Sequence, residues 1–102
     1  MKGLNDMSEN IKAAAKEKEI YKRALDKWGT ELQIVMVFEE VAELQKELSK
    51  CLRGKDNRLE IAEEIADVEI MLAQMKILFG IHEAVERHKE YKIKRLEERL
   101  NL

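Results

Sequence analysis

Two short acidic segments carry the clearest chemical potential of this chain. One reads Glu39-Glu40-Val41-Ala42-Glu43 and the other Glu63-Glu64-Ile65-Ala66-Asp67. Each sets carboxylates three residues apart, as Glu40/Glu43 and Glu64/Asp67. On a helix, residues at that spacing share a face, one turn apart. Carboxylates gathered in this way repel one another unless a cation sits among them, and a hard divalent ion takes oxygen ligands of this kind. Magnesium is usually held by a few carboxylates together with substrate phosphates, and it keeps several waters. Such a shell would neutralise a bound triphosphate and favour attack of water on phosphorus. Phosphoryl chemistry rests on positioning and charge stabilisation, so no covalent nucleophile is needed.

The elements that must position these acids are helical. Proline is absent and glycine occurs four times, so long uninterrupted helices are expected. Gly29, Gly54 and Gly80 divide the chain into pieces of roughly 6–27, 30–52, 57–79 and 81–100. Thr30 is a candidate cap for the second piece, and Asp56 or Asn57 for the third. The second piece has an apolar stripe of Ile34, Val37, Val41, Leu44 and Leu48, and the third one of Ile61, Ile65, Val68, Leu72, Met75 and Phe79. Steps of three and four mark helices with one buried face. These stripes are expected to meet in an antiparallel hairpin turning near Gly54. One residue ahead of each stripe runs a second line: Gln33, Met36, Glu40, Glu43 and Glu47, then Glu60, Glu64, Asp67, Met71 and Gln74. The motif acids should therefore border the buried seam. The bland alternative is that glutamate, a good helix former, simply decorates a solvated face. Two motifs beside one seam favour a site. The outer helices have weaker apolar lines and are expected to complete their burial against another subunit.

With 102 residues, the chain makes one domain, 1–102, with a modest core that would gain from oligomerisation. Charged residues at 39% beside 45% apolar ones fit a soluble helical protein rather than a disordered one. A net charge of −2 argues against nucleic acid as a partner. The stretch from Arg87 to Arg99 is nonetheless basic, either an anion site or a solvated face. The apolar run Ile34–Phe38 is far too short for a membrane span, and no signal peptide is evident, so a cytoplasmic location is the expectation. Cys51, the sole cysteine, cannot form an internal disulfide and has no nearby histidine to activate it. With two histidines, no Cys/His zinc cluster of the usual kind is expected. His82 and His88 do not follow the Glu-x-x-His pattern of a di-iron bundle.

The pattern Glu39-Glu40-x-x-Glu43 followed by Glu64-Ile65-Ala66-Asp67-Val68 resembles the EExxE…ExxD signature of MazG-type all-α nucleoside triphosphate pyrophosphohydrolases. The resemblance extends over about residues 28–80, with Trp28-Gly29 and Gln33 ahead of the first motif. It implies an all-α, four-helix bundle completed by oligomerisation, as a homodimer or homotetramer. It also implies Mg2+, with Mn2+ as the alternative, held by Glu40, Glu43, Glu64 and Asp67. Glu39 would be a further ligand or would help to orient water, so the catalytic candidates are Glu39 and Glu40. The implied reaction splits a (d)NTP into (d)NMP and pyrophosphate, in control of the nucleotide pool. Basic residues after the second motif contact phosphates in many relatives. Here Lys89, Lys92, Arg95 and Lys76 are eligible, and Lys92 and Arg95 are taken as candidates.

Trp28 could stack on a base, or instead anchor a helix junction. Gln33 shares the line of Glu40 and could reach a substrate. Rival readings are dUTP hydrolysis, phosphoribosyl-ATP hydrolysis, or a helical oligomerisation module without catalysis.

Overall fold

In the computed structural model, residues 2–102 are described, with side chains from Met7 onward. The helices are α1 (Lys2–Trp28), α2 (Thr30–Leu52), α3 (Arg58–Phe79) and α4 (His82–Arg99). Each boundary matches the glycine punctuation closely, although α1 starts four residues earlier than the periodicity suggested. Gly54 (φ 97°) and Gly80 (φ 62°) adopt left-handed backbone at the ends of α2 and α3. An added Cβ would meet nothing within 4 Å at either position, so conformation rather than crowding explains both glycines. Gly29, not Thr30, occupies the N-cap of α2, and no side chain caps it.

The centre of the molecule is the antiparallel α2–α3 hairpin. α1 lies against both of its helices, while α4 touches α3 alone among the described residues. The lines that meet in the hairpin seam differ from those expected. Gln33 and Gln74 are buried and share a hydrogen bond, with Gln33 Nε2 donating to Gln74 Oε1. At the turn end, Asn57 Nδ2 donates to the Glu47 carbonyl at 2.8 Å and to Glu47 Oε1 at 3.2 Å. Between them lie Glu40, Glu64 and Asp67, all half-buried, beside buried Met71. The polar line therefore supplies the buried residues of the seam, while Ile34, Val37, Leu44, Ile61, Val68 and Met75 of the apolar stripes are half-buried beside it. Val41, Leu48, Ile65, Leu72 and Phe79, expected in the core, are between 38% and 56% exposed.

The seam is polar because it needs registration as well as burial. Asn57 was a cap candidate, and it does occupy the N-cap of α3, but its side chain caps nothing and reaches back to Glu47 instead. Lys50 Nζ completes the cluster with a 2.9 Å ion pair to Glu47. Asn57 is 1% exposed, so truncating it removes two hydrogen bonds from a dry turn. Asn57→Ala is expected to lower unfolding stability by about 1–3 kcal/mol, measured by urea denaturation. A loss below a few tenths would mean that the latch does not hold the hairpin.

Candidate metal centre

Glu40 comes from the middle of α2, and Glu64 and Asp67 from successive turns of α3. Each offers a carboxylate oxygen, and these oxygens lie within 4.8 Å of one another. The hairpin register produces this meeting. Gln33 and Glu47 each stand seven residues from Glu40, two helical turns on either side, and both are tied to α3 or its cap. Pinning the two ends leaves the middle acids opposite one another.

Their electrostatics follow from that geometry. The Glu40 carboxyl is pushed above its ordinary value by partial burial first, and then by the charges of Asp67 and Glu64. A hydrogen bond to Asp67 that requires the protonated form adds to this, and Glu39 contributes a further like charge. Glu64 is raised as well, by burial and then by Asp67, Glu43, Glu63 and Glu47. Among the described residues, none of the three carboxylates forms a salt bridge. Like charges brought together without a protein counter-ion form a donor set suited to a hard cation, with oxygen ligands on a rigid frame and several positions open to solvent.

The remaining residues singled out from sequence are placed as follows. Glu43 is exposed and stands outside the close trio, near enough for its charge to act on Glu64. Glu39 is exposed beside Glu40. Glu47 is committed to Lys50 and Asn57, whose hydrogen bonds hold its carboxyl below the usual range. Gln33 lies on the same line as the trio, but its amide is engaged by Gln74. Trp28 is 51% exposed and borders a shallow depression with Gly29, Thr30, Glu31, Leu32 and Val35, so it does not anchor the helix junction in a core. Its ring carries the Lys27 ammonium 5.3 Å from the centroid. Lys92 and Arg95 lie on exposed turns of α4, and the Arg95 guanidinium sits over the Tyr91 ring at 5.9 Å.

Sequence reasoning missed two contributors. Gln74 appeared only as the tail of the acidic line, and Asn57 only as a cap. Neither carried a periodic signal, since Gln74 stands one residue off the apolar stripe and Asn57 precedes the first turn of α3. A cleft of about 760 Å³ lies between α1, α3 and α4 and includes Lys18, Lys22, Tyr21 and Lys76. None of Glu40, Glu64 and Asp67 lines it.

Compared with family models, with curated proteins and with solved structures, the chain matches none. No helix among the described residues is long and apolar enough to cross a membrane.

Proposed function

We propose that this chain is a divalent-metal-dependent nucleoside triphosphate pyrophosphohydrolase, converting a (d)NTP to (d)NMP and pyrophosphate. The observation that carries this reading is the convergence of Glu40, Glu64 and Asp67 from two helices, with none of them in a salt bridge among the described residues. The motif resemblance over residues 28–80 supplies the reaction class. Mg2+ is the proposed ion and Mn2+ the alternative, and Glu43 would supply a fourth ligand. When bound, the ion would neutralise phosphate charge and assist attack by water.

The protein's own contribution is positional. The hairpin holds its carboxylates at fixed spacing, so little reorganisation is needed when a polyphosphate approaches. Glu39, exposed next to Glu40, would accept a hydrogen bond from an attacking water. Lys92 and Arg95 would have to reach the phosphates from α4, and Trp28 would offer a face to a base. The reading extends to a cytoplasmic homodimer or homotetramer acting on free nucleotides.

Pyrophosphate release, measured across the common NTPs and dNTPs with and without Mg2+, tests the proposal. Turnover that requires the ion and falls in Glu64→Gln supports it. Absence of turnover with every nucleotide, combined with nucleotide affinity indifferent to Mg2+, would favour the non-catalytic helical module. Activity confined to dUTP or to phosphoribosyl-ATP would keep the metal chemistry and reassign the substrate.

A further inference from the structure

The cleft between α1, α3 and α4 has a chemistry opposite to that of the metal centre. Its volume of about 760 Å³ falls within the roughly 300–1,000 Å³ of sites that take small organic molecules. The chain turns from α3 into α4 at Gly80, whose backbone is left-handed (φ 62°). Among the described residues, α4 then touches α3 alone and makes no contact with α1. The cleft is the space left between α1 and α4 where both flank the C-terminal turns of α3.

The lining divides into an apolar part and a cationic part. Ala14, Ala73 and Ile77 supply apolar surface, and the two alanines leave it open. Around it stand three ammonium groups, those of Lys18 and Lys22 on α1 and Lys76 on α3. None of the three lysines forms a salt bridge among the described residues. Lys18 and Lys22 are one turn apart on one face of α1. The first turn of α4 meets the same space at His82, and no side chain caps that helix. Its free N–H groups add partial positive charge, and phosphate is a common occupant of such a turn. Two carboxylates, Glu17 and Glu83, also line the cleft. Glu17 accepts a hydrogen bond from the Tyr21 hydroxyl at 2.5 Å. Three ammonium groups and a helix N-terminus outweigh these two acids.

We propose that this cleft binds a small organic phosphate with an apolar body. The body rests on Ala14, Ala73 and Ile77, and the phosphate lies among Lys18, Lys22 and Lys76. A phosphate suits the site because its several oxygens can meet ammonium groups arriving from two helices. The bound molecule ties α1 to α4, which otherwise do not touch, and so stiffens the outer helices. The inference stands apart from the pyrophosphohydrolase reading, since no residue of the metal centre lines the cleft.

Calorimetric titration and thermal melting of the full chain in EDTA, with 1-naphthyl phosphate as the probe, test it. Saturable binding is expected, with a melting temperature that rises with probe concentration and an affinity that falls with added salt. Neither 1-naphthol, which lacks the anion, nor inorganic phosphate, which lacks the body, is expected to bind as tightly. Lys22→Glu is expected to weaken the probe about tenfold or more. Lys76→Met, which keeps the stem and removes the charge, is expected to weaken it as well. Lys16→Glu makes the same charge change at an exposed position of α1 outside the cleft, and is expected to bind as the parent does. So is Asp67→Asn. Absence of binding at millimolar probe would overturn the proposal. So would unchanged affinity in Lys22→Glu and Lys76→Met alike, an equal loss in Lys16→Glu, or equal affinity for 1-naphthol or inorganic phosphate. Binding that requires Mg2+, or that is lost in Asp67→Asn, would place the probe at the metal centre and overturn it too.

Discussion

Asp67→Asn is expected to reduce pyrophosphate release by about 100-fold or more while leaving the hairpin folded. The substitution keeps shape and one oxygen but removes the charge that faces both Glu40 and Glu64. Because that charge repels its neighbours in the metal-free protein, its loss should raise the melting temperature in the presence of a chelator. Higher stability with lost activity is the signature of a residue retained for function against the interest of the fold. A merely decorative acid would change neither quantity. Glu64→Gln is expected to behave in the same way. Glu43→Gln, outside the close trio, should act mainly by weakening the ion and so respond to added Mg2+. If Asp67→Asn hydrolyses nucleotides as the parent does, the carboxylate cluster is not the site.

The second large effect concerns pH and the metal together. Glu40 and Glu64 hold protons more tightly in the folded chain than their ordinary value of 4.5. For a carboxyl raised by folding, the native state binds more protons than the unfolded one as pH climbs past that value. Stability therefore falls as pH rises through the window above 4.5. Glu47 works in the opposite sense and in a different window. Its carboxyl is lowered from 4.5, so its contribution is complete above that value and is lost as pH falls through the lowered one. In chelator, the melting temperature is thus expected to rise as the solution is acidified from neutrality toward about pH 5, and to fall on further acidification. A divalent ion should reverse the upper limb, since it favours the ionised carboxylates. At a hundredfold excess over its dissociation constant, the ion adds about 2.7 kcal/mol to stability. Differential scanning fluorimetry with EDTA, Mg2+ and Ca2+ across this range checks the sign. A profile that rises with pH in EDTA, or one indifferent to Mg2+, would contradict the assignment.

Much of this arrangement could be read from residue order. The glycines marked the breaks, the periodicity marked the helices, and the spacing of the acids implied their meeting across a hairpin. The identity of the seam was not legible. Periodicity shows that Val41, Leu48, Ile65 and Leu72 want cover, but it does not name what covers them. Assigning that role to the neighbouring helix suits Ile34, Val37, Leu44, Ile61, Val68 and Met75, which are half-buried, but not the exposed members of the stripes. The structure gives the intrachain seam to Gln33, Glu40 and Glu47 on one side and to Gln74 and Asp67 on the other. Asn57 was missed for a related reason: an asparagine before a helix suggests a local cap, whereas its bond to Glu47 spans ten residues of chain. Long-range polar pairing leaves no periodic trace.

The two polar ties of the hairpin have a mechanical consequence. The Gln33–Gln74 bond at one end is neutral and indifferent to pH or ions, and the Asn57–Glu47 latch closes the other. With both ends fastened, the helices cannot spread to relieve the crowding of the acids midway. The pair behaves as a strung bow, and under the proposed function the tension among Glu40, Glu64 and Asp67 would be released by capture of a cation rather than by a change of shape. Loosening either fastening, by Gln74→Ala or Asn57→Ala, should therefore slacken ion affinity from a distance, without touching a ligand.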